Sequence, residues 1–498
     1  MKKLFCLIFL FSSPVLFSQS LEQFSKESVS SPSISTNSIS NMFYLNGKTW
    51  FGSSSGLNYL ENNQFNNIET GNSLLNSKSV YAISGKSNKV FMAIGETRKK
   101  DGGNIPTAMG FGLSSDNGTT WTYIDFPLED KNKTSVIFGK DTLVYLPILV
   151  PEQSVSYDCA VDGDTLWTAS YASGILISTN NGTNWKRYIL PPDNKNYISP
   201  DSSYKFEYNP TRDSNLNLRG FSVYKTPSGK LWAGTAGGIN LRYQPEGWKK
   251  FTVSSSNEKT IPGNWVTGIS SQVFKSNERV WAVCWRALQS YETDGLAFTE
   301  DNGKTWTRTL LDERIYDLAF SGDTVLAVGK NGVFYSADGL SWSFKNRFQD
   351  FVSQKSILST EFYSASFDDN QKRWMIGSGQ GLLVSSQSNL FSENSWTIFQ
   401  REVRENEGNN TFSYPNPFSP DDDGICRISI PSSSNVKVSI YSSDMLPVKY
   451  LTPNYSDNVT EILWDGRDGF GNRLSNGVYF YSVKTSTSEY WGKIFILE

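Results

Sequence analysis

One short phrase is written four times in this chain, and it constrains the fold more than any other feature. It reads Ser114-Ser115-Asp116-Asn117-Gly118-Thr119-Thr120-Trp121, Ser178-Thr179-Asn180-Asn181-Gly182-Thr183-Asn184-Trp185 and Thr299-Glu300-Asp301-Asn302-Gly303-Lys304-Thr305-Trp306, with a shorter form at Ser336-Ala337-Asp338-Gly339-Leu340-Ser341-Trp342. Its chemistry suits the tip of a hairpin. Asp or Asn accepts backbone hydrogen bonds across the turn, and Gly supplies a positive φ. The hydroxyl residues tie the loop to itself, and Trp starts the next strand by packing between neighbouring sheets. Such a staple reports architecture and leaves chemistry open.

A longer repeat surrounds the phrase. Seven segments carry a large apolar residue on a short strand, centred on Trp50, Phe91, Trp167, Trp232, Trp281, Leu326 and Trp374. The aromatic opening the last strand of each unit follows in register at Phe65, Trp121, Trp185, Trp248, Trp306, Trp342 and Trp396. Eleven of the fifteen tryptophans fall on these two positions, which ties them to the repeat. Each unit holds four short strands of alternating apolar residues separated by turn signals. Radial repetition of four-stranded sheets is a β-propeller, because one sheet cannot bury both faces alone whereas a closed ring packs each between two others. The expected fold is all-β: a seven-bladed β-propeller over residues 35–400, then a small Ig-like β-sandwich over 412–498. Residues 20–34 are a leader and 401–411 a charged linker. Blade one (37–70) should close against blade seven (359–400) without an exchanged strand.

The repeated phrase resembles the Asp-box of sialidase-type (BNR) β-propellers, carried here by Ser114, Asp116, Gly118 and Trp121, by Ser178, Asn180, Gly182 and Trp185, by Asp301, Gly303 and Trp306, and by Asp338 and Trp342. The wording Gly229-Lys230-Leu231-Trp232-Ala233-Gly234-Thr235 with Gly238-Ile239 also resembles the sensor-type propeller repeats of two-component regulators. At the C-terminus, Tyr414-Pro415-Asn416-Pro417-Phe418, the Trp464–Asn472 run, Gly477-Val478-Tyr479-Phe480-Tyr481 and Lys493-Ile494-Phe495-Ile496-Leu497 resemble the Ig-like domain of flagellar hook-capping proteins. They also resemble the C-terminal sorting domains read by the type IX secretion system of Gram-negative bacteria. That resemblance implies an address on residues 412–498, with the secretion machinery as partner. Family members are often released or attached to the cell surface with this domain removed.

The first residues fit export. Lys2 and Lys3 precede an apolar stretch from Leu4 to Phe17, and Ser18-Gln19 is a cleavage point, so residues 1–19 read as a signal peptide. The stretch is shorter than the ~20 residues that span a bilayer, and no other segment approaches that length. A secreted or outer-membrane-surface location follows. Cys159, Cys284 and Cys426 lack paired metal-ligand spacing and read as buried small residues. With no histidine, neither a Ser-His-Asp triad nor a His-based zinc site can be built. A net charge of −3, from 46 basic and 49 acidic residues, disfavours nucleic-acid binding. Asp421-Asp422-Asp423-Gly424 supplies too few oxygens for calcium and reads as a solvated turn. No cofactor or metal is expected.

Strand connectivity locates the functional face. The repeated phrases are turns between third and fourth strands, so second-to-third loops and blade-to-blade connections lie on the opposite face. The long insertions, 96–110, 128–156, 192–222, 254–264 and 284–294, all start from that face and are expected to converge there. They carry Arg98, Tyr204, Arg212, Arg219, Trp285, Arg286 and Tyr291, a set suited to carbohydrate stacking or an acidic ligand. The favoured reading is a propeller that binds a polysaccharide or surface protein. A sialidase-like glycoside hydrolase is the second, weakened because Arg98 is the sole arginine before Ser114 and no Arg-Ile-Pro segment precedes the first box. An assembly component of a surface complex is the third.

Overall fold

The computed structural model describes residues 34, 36–68, 73–100, 102–350, 353, 355–385, 395–400, 411–420, 425–430, 436–451 and 461–497. The signal peptide, most of the leader, most of the linker and the Asp421–Gly424 turn lie outside them. The chain falls into two compact units, one from residues up to 346 together with 360–401, the other from 347–359 and 402–498. No α-helix occurs among the described residues, and none is long and apolar enough to cross a membrane.

The first unit contains seven antiparallel sheets, each with four strands in chain order, over residues 41–67, 79–125, 156–187, 220–251, 265–309, 315–345 and 362–399. The first strand of each sheet touches the first strand of the next, and Phe362–Asp368 of the last touches Asn41–Leu45 of the first, so the ring closes. At that seam the Ile39 N–H donates to the Ser378 carbonyl (3.0 Å), and Phe65 meets Phe399 at 4.9 Å. Each sheet draws its four core strands from one continuous stretch, and closure needs no exchanged strand.

The two tryptophan positions meet across the sheet interfaces. Trp50 of sheet one packs edge-on against Trp121 of sheet two, Trp232 of sheet four against Trp306 of sheet five, and Trp281 of sheet five against Trp342 of sheet six. Trp50, Trp232 and Trp281 are wholly buried, so each contributes about 1.5–3 kcal/mol by burial and about 1 kcal/mol more from ring geometry.

The repeated phrases form four alike turns. The Ser114 hydroxyl donates to Asp116 Oδ1 (2.8 Å) and accepts the Gly118 N–H (2.8 Å), while Asp116 accepts the Thr120 N–H (2.8 Å) and hydroxyl (2.6 Å). These bonds from Thr120 hold the Asp116 carboxyl down at about 2. The same clasp recurs through Ser178 and Asn180, Thr299 and Asp301, and Ser336 and Asp338. Each turn glycine is pressed against the preceding sheet. A Cβ on Gly118 would lie 2.2 Å from Trp50, on Gly182 2.6 Å from Ile124, on Gly303 2.8 Å from Phe251 and on Gly339 2.6 Å from Trp281. The turn therefore staples sheet to sheet as well as strand to strand.

Two insertions differ from expectation. Residues 128–156 and 192–222 carry short strands that their sequence did not announce. They build a three-stranded perimeter sheet from Ser135–Phe138, Asp141–Tyr145 and Glu207–Tyr208, and Tyr197–Ile198 adds a fifth strand to the outer edge of sheet four. Their apolar residues Phe138, Leu143, Tyr145, Ile198 and Tyr208 bury against Tyr188 and Trp248, which draws them outward. Arg187, with its side chain 1% exposed, joins this layer to sheet three through Glu129 (2.6 Å).

The second unit has a three-stranded sheet (Ser413–Tyr414, Cys426–Ser429, Glu461–Trp464) and a four-stranded one (Pro447–Leu451, Lys437–Tyr441, Gly477–Lys484, Glu489–Ile496). Phe418, Cys426, Ile428, Val438, Ile440, Trp464, Tyr481 and Ile494 form its core. The short hairpin Phe348–Gln349 with Ser356–Ile357 belongs to this unit.

Candidate functional site

In six of the seven sheets the first strand carries a one-residue register shift near its start. The shifts fall between Val80 and Ala82, Ser156 and Asp158, Gly220 and Ser222, Val266 and Gly268, Ile315 and Asp317, and Phe362 and Ser364. Each bulge frees one residue from the ladder and re-aims its side chain. The freed residues are Tyr81, Tyr157, Phe221, Thr267, Tyr316 and Tyr363, five of the six aromatic. They sit where the chain enters each sheet, on the face opposite the clasped turns.

These aromatics form an arc. Tyr157 meets Phe221 at 6.0 Å, and Phe221 meets Tyr171 at 5.9 Å and Trp265 at 5.8 Å. Trp265 is the cross-strand partner of Trp285, which stands edge-on to Tyr316 at 5.8 Å, and Tyr316 lies 5.8 Å from Tyr363. The Tyr81 ring lies against Gly95, where a Cβ would be 2.8 Å away. Tyr157 is 38% exposed, Phe221 is buried and the other members of the arc are half-buried.

Two of the phenols share one acceptor. One carboxylate, Glu361, accepts both the Tyr316 hydroxyl (3.1 Å) and the Tyr363 hydroxyl (3.0 Å). Burial and that carboxylate raise both phenols, and burial pushes Tyr157 up to about 12. A tyrosine nucleophile needs the opposite shift. The arrangement offers aromatic surface for stacking.

Next to two of these tyrosines in sequence stand Asp158 and Asp317, each bridging to the following sheet. Asp158 accepts the N–H of Cys159 (2.8 Å) and of Val223 (3.0 Å), and Asp317 accepts that of Leu318 (2.8 Å) and of Ala365 (2.9 Å). Burial raises both carboxyls to about 7, with the Asp317 charge adding to the shift on Asp158.

The residues singled out from sequence fall in three places. Trp285 is part of the arc, donating to the Ile315 carbonyl (2.8 Å) with the Arg314 guanidinium 4.0 Å over its ring. Arg286 and Tyr291 follow it, exposed, in the same loop, and Arg98 pairs with Glu96 (2.6 Å) on the extended hairpin beside Tyr81. Tyr204, tilted against Phe138 at 5.9 Å, and Arg212, paired with Glu207 (2.6 Å), belong to the perimeter layer. Arg219 is buried and occupied within the protein, donating to the carbonyls of Pro210 (2.7 Å) and Arg212 (3.1 Å) and to the Tyr171 hydroxyl (2.7 Å). Arg219→Ala is expected to lower stability by about 2–3 kcal/mol, read as a denaturation midpoint, because charged hydrogen bonds to buried carbonyls are lost.

Sequence reading missed the bulged aromatics. Their signal was present in aligned strand starts, Val80-Tyr81-Ala82, Ser156-Tyr157-Asp158, Ile315-Tyr316-Asp317 and Phe362-Tyr363-Ser364. A separate concavity of about 720 Å³ lies at the perimeter between sheets two and three, lined by Tyr123, Phe126, Glu129, Lys133 and Trp185. None of its lining residues belongs to the arc.

No protein-family model matches the chain, and no curated protein does. Solved structures do. A GH74 xyloglucanase from Xanthomonas campestris aligns at 9% identity over 92% of this chain and 73% of its own, with a TM-score of 0.50. PorZ, a surface component of the type-IX secretion system of Porphyromonas gingivalis, aligns at 14% identity over 92% and 70%, TM-score 0.38. YCF48 from Cyanidioschyzon merolae aligns at 15% over 72% and 98%, TM-score 0.43. The chain shares the β-propeller fold with its structural neighbours.

Proposed function

We propose that this chain is a secreted or cell-surface bacterial β-propeller of seven blades, four of them carrying Asp-box turns, that binds a polysaccharide across the aromatic arc. The observation that carries this reading is the repeated bulge: one strand position in six sheets is turned out of the ladder, and five of its six occupants are aromatic. Sugar rings stack on such faces. The second unit is read as an Ig-like sorting domain for type IX export, on the strength of its four sequence phrases, with residues 1–19 as the inner-membrane signal.

Binding of the purified chain to a polysaccharide panel tests the reading. Tyr157→Ala and Tyr316→Ala should each weaken binding about tenfold, equivalent to about 1.4 kcal/mol, while Tyr204→Ala at the perimeter leaves it unchanged. Binding that is indifferent to both arc substitutions rejects the site, and turnover of the panel would favour the sialidase-like hydrolase instead. For export, removal of residues 412–498 should leave the protein in the periplasm; its arrival in the medium would refute the sorting role.

A further inference from the structure

The second unit is assembled from two separate stretches of chain. Residues 347–359 leave sheet six after Ser343–Lys345, form the hairpin, and return to sheet seven at Phe362–Asp368. Within the hairpin Phe348 pairs with Ile357 and Gln349 with Ser356, and the Asp350 N–H donates to the Lys355 carbonyl (2.8 Å). Phe348, Asp350, Ser356 and Ile357 are all buried. A surface loop of this length has no reason to bury four side chains unless something covers it.

Arg427 identifies the contact. It is 1% exposed, and a guanidinium so placed needs every partner it can reach. Its Nη1 donates to Glu461 (2.7 Å), which also accepts the Tyr414 hydroxyl. Its Nη2 donates to the Ser356 carbonyl (3.0 Å) and to the Ser356 hydroxyl. Half of the solvation of this buried charge therefore comes from the hairpin, seventy-one residues earlier in sequence. Without residues 347–359 the unit would hold an arginine with one carboxylate and bare donors.

We infer that the hairpin 347–359 is a built-in receptor for the C-terminal unit, so that this unit stays bound after the backbone is cut between residues 402 and 410. The linker is then one of two attachments, and the weaker statement of the pair. The claim holds whether or not the unit serves as a sorting domain.

The full chain carrying a site-specific protease sequence within 403–409 tests this. After complete cleavage, the two fragments should elute together in gel filtration under native conditions; elution of a separate C-terminal fragment overturns the inference. The same chain with 348–357 replaced by a Gly-Ser turn should release most of the fragment on cleavage, and continued co-elution would also overturn it. Arg427→Lys keeps the charge but loses the fork that spans Glu461 and Ser356. It should raise the released fraction at least tenfold, and an unchanged fraction would show that the Ser356 contact is not what holds the unit.

Discussion

Thermal unfolding should occur at a higher temperature near pH ~5 than near pH ~8. Asp158 and Asp317 are held at about 7 by burial, against an ordinary value of 3.8. The folded chain therefore binds two protons more tightly than the unfolded chain does. The stability they contribute is fully present below the ordinary carboxylate range and is lost as the pH rises to about 7. A carboxyl so displaced carries on the order of 4 kcal/mol. For a unit of this size the pair amounts to a midpoint shift of about 5–10 °C. Carboxylates shifted the other way, such as Asp116 at about 2, change protonation only in stronger acid and leave this window alone. A series of thermal melts checks the slope. Asp317→Asn should remove about half of it, and an undiminished slope would assign the titration to other groups.

Gly118→Ala should cost about 2–4 kcal/mol, measured as a shift in denaturant midpoint. Its φ is +87°, and a Cβ there would sit 2.2 Å from the Trp50 ring, which is itself fully buried and edge-on to Trp121. Neither ring can retreat without opening the interface between sheets one and two. Gly163 is the comparison. It also has a positive φ, +58°, but nothing lies within 4 Å of its Cβ position, so Gly163→Ala should cost only about 1 kcal/mol. The difference between the two isolates the sheet-to-sheet contact from the backbone strain. Equal costs would mean that the clasped turn braces only its own hairpin.

The ring was legible because two tryptophan positions recur with strand-like spacing, and burial at Trp50, Trp232, Trp281 and Trp374 leaves little freedom at them. The arc was not, for a physical reason: a bulge inserts one residue and breaks the alternation by which inward and outward positions are told apart. Tyr157 and Tyr316 thus read as ordinary strand residues. The perimeter layer was hidden because its strands Tyr197–Ile198 and Glu207–Tyr208 are two residues long, and Tyr208 finds its partner Tyr145 far away in sequence. Arg219 misled for the same reason. A cation in an irregular loop looks free until the carbonyls around it are seen.

The bulged position has a bearing on how such a chain changes over generations. Its residue is the surplus one in the ladder, so replacing it disturbs no strand pairing, whereas the alternating residues beside it are locked by the sheets on either side. At Tyr81, Tyr157, Phe221, Thr267, Tyr316 and Tyr363 a replacement leaves the ladder intact, whereas one residue away it does not. What the ring grips can therefore be retuned one sheet at a time with the strand pairing unchanged, and Thr267 shows that the position accepts a residue that is not aromatic.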